Sequence, residues 1–119
     1  MHVRPAALSD AAAIASIYNA ASAATPAANL VTWQESVEDR AEWLEQMEKD
    51  GYPVFVAVED DEIIGWAAYF QFVTPAIYYG TVENSVYVAP SARGKGVGNE
   101  LMCAVVDDAK DNDYVQTMI

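Results

Sequence analysis

The chain has 119 residues, of which 53% are hydrophobic and 20% charged, and this balance predicts a single folded domain over residues 1–119. It carries 18 acidic and 6 basic residues, and the net charge of −12 argues against nucleic acid and membrane surfaces as partners. No apolar run reaches the roughly 18 residues of a membrane span, and the first residues lack a signal-peptide pattern. The single cysteine, Cys103, fits a reducing compartment, so we expect a cytoplasmic protein with this thiol buried as a small hydrophobe.

The first part of the chain predicts a short strand followed by two helices. A strand over residues 3–5 precedes Ser9, a favourable N-cap for a helix over residues 10–21 with apolar residues at i, i+3, i+4 and i+7. Ser36 and Asp39 have the spacing of a capping box and begin the second helix. The apolar stripe predicted for that helix comprises Val37, Ala41, Leu44 and Met47.

The remainder predicts a sheet and one more helix. Two apolar runs joined by Glu59-Asp60-Asp61-Glu62 have the pattern of a hairpin whose strands are buried on both faces. Gly65 interrupts the second run and predicts a bulge. Strands are predicted over residues 54–58, 63–70, 81–89 and 114–119, with a helix over residues 97–109. The order is therefore β-α-α-β-β-β-α-β.

The segment Arg93-Gly94-Lys95-Gly96-Val97-Gly98 lies between a predicted strand and a predicted helix. A glycine-rich turn in that position forms a phosphate cradle, because the first N–H groups of a helix lack intrahelical acceptors and the helix dipole favours an anion. Glycine lets the phosphate approach the backbone closely, and the two basic side chains add positive charge. The alternative is an ordinary glycine-rich turn in an α/β protein.

The spacing within this segment narrows the kind of phosphate site. No Gly-Lys-Ser/Thr sequence is present, so the segment is not a P-loop, and Asn99 and Leu101 stand where a dinucleotide motif would need glycine. The spacing R/Q-x-x-G-x-G/A does fit, with Arg93, Gly96 and Gly98. This block resembles the coenzyme A pyrophosphate loop of the GNAT superfamily of N-acetyltransferases.

Further blocks, spread over the chain, resemble one family within that superfamily, the phosphinothricin acetyltransferases. They are Val3-Arg4-Pro5-Ala6, Ile17-Tyr18-Asn19, Gly51-Tyr52-Pro53-Val54, Gly65-Trp66-Ala67 and Thr81-Val82-Glu83-Asn84-Ser85-Val86-Tyr87-Val88. The resemblance implies the GNAT acyl-CoA N-acyltransferase fold, an α/β (α+β) fold with a mixed, mostly antiparallel sheet and flanking helices. It also implies that the C-terminal part of that fold, a helix and two strands, is lacking here.

The resemblance implies acetyl-CoA as co-substrate and no metal. In the family, the pantetheine arm pairs with the strand backbone at positions that match Val86, Tyr87 and Val88. The loop positions expected to hold the coenzyme are Arg93, Gly94, Lys95, Gly96, Val97, Gly98 and Asn99.

Glu83 is the candidate catalytic base. A carboxylate inside a strand rich in Val and Tyr is costly to bury unless it is paired, protonated or used, and the family places its proposed base at this position. The alternative is a carboxylate that faces a solvated cleft or caps a loop. His2, the only histidine, lies at the terminus and is not expected to be catalytic.

Two functions follow from these observations. The first is transfer of an acetyl group from acetyl-CoA to the primary amine of a small amino-acid-like molecule of the phosphinothricin or methionine sulfoximine type. The second is a non-catalytic coenzyme A-binding or oligomerising module, and acetylation of protein N-termini or polyamines is a further variant of the first. Loops 23–34 and 71–80 are expected to contribute to the acceptor pocket. An open edge at strand 114–119 leads us to expect a homodimer or higher oligomer.

Overall fold

The computed structural model describes residues 1–23, 34–71, 81–112 and 117–118. The strands are β1 (His2–Pro5), β2 (Val54–Glu59), β3 (Glu62–Gln71), β4 (Thr81–Val88) and β5 (Thr117–Met118). The helices are α1 (Ala11–Ala23), α2 (Val37–Asp50) and α3 (Val97–Lys110), with short 3₁₀ turns at Leu8–Asp10 and Pro90–Ala92. The element order predicted from the sequence is confirmed.

The strands form one five-stranded sheet in the order β1-β2-β3-β4-β5. Neighbours from β1 to β4 are antiparallel, whereas β4 and β5 are parallel and pair Thr81 with Thr117 and Val82 with Met118. The mixed, mostly antiparallel sheet expected from the resemblance is therefore confirmed. Of the last predicted strand, residues 113–116 and 119 lie outside the described part of the chain.

Helices cover both faces of the sheet. One core cluster joins α1 and α2 to the sheet, and the other joins α3 to the opposite face. The α3 face follows the predicted period, since Val97, Leu101 and Val105 are at most 2% exposed. The first cluster includes Ile14, Ile17, Leu44, Met47, Val56 and Trp66, and the second includes Ala57, Ala67, Tyr69, Val97, Leu101 and Val105.

The hairpin between β2 and β3 has the predicted turn. Asp60 and Asp61 have φ values of 52° and 62°, which place both turn residues in the left-handed region typical of a two-residue hairpin loop. The pairing register shifts between Ala57 and Val58, and this irregularity lies beside Gly65, where the bulge was predicted. A Cβ on Gly65 would lie 3.0 Å from both Leu101 Cδ1 and the carbonyl oxygen of Tyr87, so the missing side chain lets α3 approach the sheet.

Three local predictions are wrong. Ser9 lies inside the 3₁₀ turn and does not cap α1, because the Asp10 carboxylate accepts the Ala7 N–H at 2.8 Å and the Arg4 guanidinium at 2.8 and 3.1 Å. Val37 is 46% exposed, and Arg40 takes its place on the buried face of α2. Cys103 is exposed, because it lies on the side of α3 away from the sheet. The capping box of Ser36 and Asp39 is confirmed by reciprocal bonds of 3.0 and 3.2 Å.

Candidate functional site

The glycine-rich loop forms an anion cradle at the start of α3. Gly94 and Gly96 have φ values of 81° and 79°, a left-handed conformation that strongly favours glycine. Gly96 is the N-cap, and its carbonyl accepts the Glu100 N–H at 3.1 Å. The N–H groups of the residues between them, from Val97 to Asn99, therefore have no acceptor within the helix.

The cradle is open to a ligand. A Cβ on Gly94 or Gly96 would meet nothing within 4 Å, so open space lies beside the backbone of both glycines. Arg93 and Lys95 are exposed on the same loop and form no ion pair with any residue that the structure describes. Free helical N–H groups, a favourable dipole and two cations together fit a pyrophosphate.

Next to this loop, the second half of β4 has an edge, on the side away from β3, that no strand of the described residues pairs with. The N–H of Ala89 donates to the carbonyl of Ile64 at 2.8 Å, and antiparallel alternation then directs the N–H of Tyr87 to β3 as well. The backbone groups of Val86 and Val88 point to the other side, where β5 pairs only as far as Val82 among the described residues. These two residues can pair with an extended ligand chain, whereas the backbone of Tyr87 is turned to β3.

Glu83 lies on β4, on the face covered by α1 and α2. It is half-buried and stands opposite Phe70 in the register. Side chains alternate along a strand, so Glu83 shares this face with Ser85 and Tyr87. The pKa of the Tyr87 phenol is raised, mainly by burial and next by Tyr18, and the negative charge of Glu83 adds a smaller contribution in the same direction. The predicted base therefore faces the α1/α2 layer and not the α3 layer.

An aromatic cavity of about 190 Å³ lies between this face of β4, at Ser85 and Tyr87, and the two helices. Trp66 stacks on Tyr87 with ring centroids 4.9 Å apart, and Tyr18 meets Tyr87 edge to face at 5.5 Å. The cavity, called here the β4 cavity, is lined by Tyr18, Arg40, Trp43, Trp66, Phe70, Ser85 and Tyr87.

Arg40 is the residue of this site that the sequence interpretation missed. It is only 7% exposed, and its guanidinium carbon lies 4.6 Å from the ring centroids of Tyr18 and Trp43 and 5.1 Å from that of Trp66. Burial lowers the pKa of Arg40, while Glu35 pulls it in the other direction. The i, i+4, i+7 spacing of Arg40 with Leu44 and Met47 is the signal that could have found it.

A larger cavity of about 340 Å³ lies elsewhere and is not part of this site. Its lining includes Pro5, Leu8, Tyr52 and Phe55, with no residue from β4 or from the glycine loop. The β4 cavity is smaller than this one and smaller than a third cavity of about 360 Å³ lined by Met47, Asp50, Tyr52 and Phe70. It is, however, lined by Ser85 and Tyr87, which lie on the same face of β4 as the predicted base. The β4 cavity is therefore the candidate acceptor site.

The described ranges hold no group of three or more His, Cys, Asp or Glu side chains that could bind a metal ion. In the same ranges, no helix is both long and apolar enough to cross a membrane. The predicted acceptor loops fall mainly on residues 24–33 and 72–80, which lie outside the described residues.

Comparisons with known proteins agree with this geometry. Residues 14–119 match the family described as Acetyltransferase (GNAT) family. The L-amino acid N-acyltransferase MnaT of Escherichia coli (strain K12) is 38% identical over 114 residues, which are 93% of this chain and 64% of that protein. The L-methionine sulfoximine/L-methionine sulfone acetyltransferase of Salmonella typhimurium is 36% identical over 113 residues, or 92% of this chain and 64% of that protein.

Among solved structures, a GNAT superfamily phosphinothricin acetyltransferase (Pat) from Sinorhizobium meliloti in complex with AcCoA superposes with a TM-score of 0.87. It is 28% identical and covers 98% of this chain and 63% of that one. The chain thus spans a little under two thirds of the length of these relatives. The resemblance to phosphinothricin and methionine sulfoximine acetyltransferases is confirmed, and the chain belongs to the GNAT family of acetyltransferases.

Proposed function

We propose that the protein transfers an acetyl group from acetyl-CoA to the primary amine of a small amino-acid-like molecule. The coenzyme lies along the open edge of β4, with its pyrophosphate on the glycine loop, and the acceptor enters the β4 cavity. The observation that carries this proposal is the convergence on one strand of the cradle, the free edge at Val86 and Val88, and the carboxylate of Glu83.

The names of relatives support the choice of acceptor. MnaT is named for L-amino acids, and the Salmonella protein for L-methionine sulfoximine and L-methionine sulfone. The solved relative from Sinorhizobium meliloti carries AcCoA, which supports acetyl-CoA as the donor. We extend these substrate classes to this chain.

The chemistry assigns a task to each part of β4. Bound acetyl-CoA supplies an activated acyl carbon and a thiolate leaving group. Glu83 accepts a proton from the acceptor ammonium, directly or through water, so that the amine nitrogen has a free lone pair. The nitrogen then attacks the acyl carbon, and backbone N–H groups of β4 on the side away from β3 can stabilise the negative charge that develops on the carbonyl oxygen. The C–N bond forms, the C–S bond breaks, the nitrogen loses its second proton, and the thiolate takes up a proton and leaves as the free thiol.

Replacing Glu83→Gln tests this assignment. The amide keeps the shape of the side chain but cannot accept the proton, so kcat for acetyl transfer should fall by about 10²- to 10⁴-fold. Acetyl-CoA affinity, measured by calorimetry, should change by less than about twofold because the coenzyme contacts lie further along β4. Steady-state release of free thiol with an L-amino acid acceptor gives the rate.

Glu62→Gln is the matched control, since Glu62 is an exposed strand carboxylate at the opposite end of the hairpin. It should leave both rate and affinity unchanged. A Glu83→Gln variant that turns over as fast as the parent would show that another group takes the proton. Coenzyme binding without turnover in the parent, over a panel of amines, would instead favour the non-catalytic module.

Two further expectations belong to this proposal. We expect the protein in the cytoplasm and as a homodimer or higher oligomer. Sedimentation velocity over a range of concentrations measures the oligomeric state, and a single monomer boundary at all of them would contradict that expectation.

A further inference from the structure

We propose that Arg40 is a specificity-determining residue whose guanidinium, with the indole N–H of Trp66, binds an oxyanion of the acceptor, its carboxylate, in the β4 cavity. The inference rests on the proposed acetyl transfer and adds the contact that selects amino acids over other amines.

Two buried donors in this cavity lack an acceptor. Arg40 Nε and Trp66 Nε1 are both inaccessible, and neither has a hydrogen-bond partner among the described residues. Both side chains line the same cavity of about 190 Å³. Buried N–H groups are nearly always paired in folded proteins, so two orphaned donors on side chains that line one cavity indicate a place for a ligand acceptor.

The charge of Arg40 is only partly balanced. The rings of Tyr18, Trp43 and Trp66 stabilise the cation through their faces, but ring faces do not replace an in-plane acceptor for the guanidinium N–H groups. Glu35 Oε1 lies 3.9 Å from Arg40 Nη2, which is beyond hydrogen-bond distance. The Asn19 side chain bonds the backbone N–H and carbonyl of Glu35 at 2.8 and 2.9 Å and so holds the main chain from which this carboxylate extends.

The other basic residues are placed differently. Arg4 pairs with Asp10, Lys49 and Lys110 lie in the last turns of α2 and α3, and Arg93 and Lys95 belong to the glycine loop. Of the six basic residues in a chain of net charge −12, Arg40 alone lines the β4 cavity. An anion attracted into that cavity is therefore attracted by Arg40.

The site thus has a cation in the wall of the cavity and a carboxylate, that of Glu83, on the strand face that continues from it. Glu83, Ser85 and Tyr87 follow one another on the same face of β4 at intervals of about 7 Å. The charges of Glu83 and Arg40 both act on Tyr87, the first raising and the second lowering the pKa of its phenol. A molecule with an ammonium and a carboxylate complements this pair. A polyamine offers only positive charge and would meet Arg40 as a like charge, so the arrangement disfavours it.

Paired substrates test the subsite. We would compare kcat/KM for an L-amino acid such as methionine sulfone with that for its primary amide, in the parent, Arg40→Lys, Arg40→Gln and the control Lys49→Gln. The parent and the control should prefer the acid by about 10- to 100-fold, the worth of one charge-assisted contact. Arg40→Gln should abolish the preference, because kcat/KM should fall for the acid and stay unchanged for the amide. Arg40→Lys should keep part of the preference.

The acid-to-amide ratio is internal to each variant, so partial misfolding cancels from it. Glu35→Gln gives a change of opposite sign, because removing the competing carboxylate should increase the preference for the acid. A second readout does not need turnover: quenching of tryptophan fluorescence by N-acetyl methionine sulfone against its amide gives equilibrium affinities for the same variants.

The outcomes separate this inference from the proposed function. Acid-selective binding that depends on Arg40, in a protein that transfers no acetyl group, would support the subsite and contradict the function. Acetyl transfer with equal losses on acid and amide in Arg40→Gln would make Arg40 a purely structural residue and overturn the inference. A parent protein that neither prefers nor binds the acid over the amide would overturn it as well.

Discussion

At the level of single residues, the glycines of the loop differ in whether their backbone conformation requires glycine. Gly96 has a φ of 79°, whereas Gly98 lies inside the first turn of α3, where a Cβ would meet only Val88 Cγ2 at an ordinary 3.9 Å. The coenzyme motif accepts alanine at the position of Gly98 and requires glycine at that of Gly96. Backbone conformation explains this difference, because only Gly96 must adopt the left-handed region.

Alanine at these two positions should therefore have opposite effects. Gly96→Ala should cost about 1–2 kcal/mol of folding free energy and weaken acetyl-CoA binding, since the loop must leave its left-handed conformation to relieve the strain. Gly98→Ala should add about 0.5–1 kcal/mol through helix propensity and keep the affinity. Urea unfolding gives the stabilities and calorimetry the affinities. Equal affinities in the two variants would contradict the loop assignment.

At the scale of elements, the start of α1 depends on a tertiary ion pair and not on a residue-type cap. Asp10 is 5% exposed, and its carboxylate accepts two bonds from Arg4 on β1 and one from the Ala7 N–H. These bonds, with those from Arg4 contributing most, lower the pKa of Asp10 below its ordinary 3.8. The carboxylate thus ties β1 to the first helical turn.

Asp10→Asn should destabilise the protein by about 1–2 kcal/mol at pH 7, because an amide cannot accept the same charge-assisted bonds. A lowered pKa in the folded state gives stability that is present above the ordinary value and lost as the pH falls through the folded one. The difference between parent and variant should therefore shrink below about pH 4. Asp107→Asn, an exposed carboxylate on α3, should change stability by less than about 0.5 kcal/mol. A difference that stays constant down to pH 2 would contradict this account.

The elements also show what the sequence can predict. The face of α3 could be predicted because Val97, Leu101 and Val105 follow one period toward one sheet. The burial of Arg40 has only its helical spacing as a signal, because hydrophobic patterning counts arginine as polar. The rings that cover it, Tyr18 and Trp66, come from α1 and β3 and could not be predicted from that spacing. Such a position depends on contacts between residues far apart in the chain.

In the candidate site, too, the locally encoded part could be predicted from the sequence and the part built from several elements could not. The glycine loop is local, so spacing alone located it, and its left-handed glycines and free N–H groups are as expected. The β4 cavity is assembled from α1, α2, β3 and β4, so the sequence supplied Glu83 but not its surroundings. The roles of Glu83 and of the loop residues stay predictions until the variants above are measured.

At the scale of the whole molecule, the charge distribution opposes the proposed coenzyme. The net charge of −12 repels a polyanion at long range, whereas Arg93, Lys95 and the N-terminus of α3 attract it within a few ångströms. Salt screens the long-range repulsion more than the short-range attraction, since the Debye length falls from about 30 Å at 0.01 M to about 10 Å at 0.1 M ionic strength. Moderate salt should therefore favour binding and not weaken it.

Calorimetric titration of acetyl-CoA into the 119-residue chain, at about 0.01 M and about 0.1 M ionic strength, measures whether the glycine loop and β4 bind the coenzyme. We expect saturable one-to-one binding that is tighter at the higher salt and is weakened by Gly96→Ala. A folded chain that shows no saturable binding at either salt concentration would contradict the assignment of the glycine loop and the β4 edge as the coenzyme site.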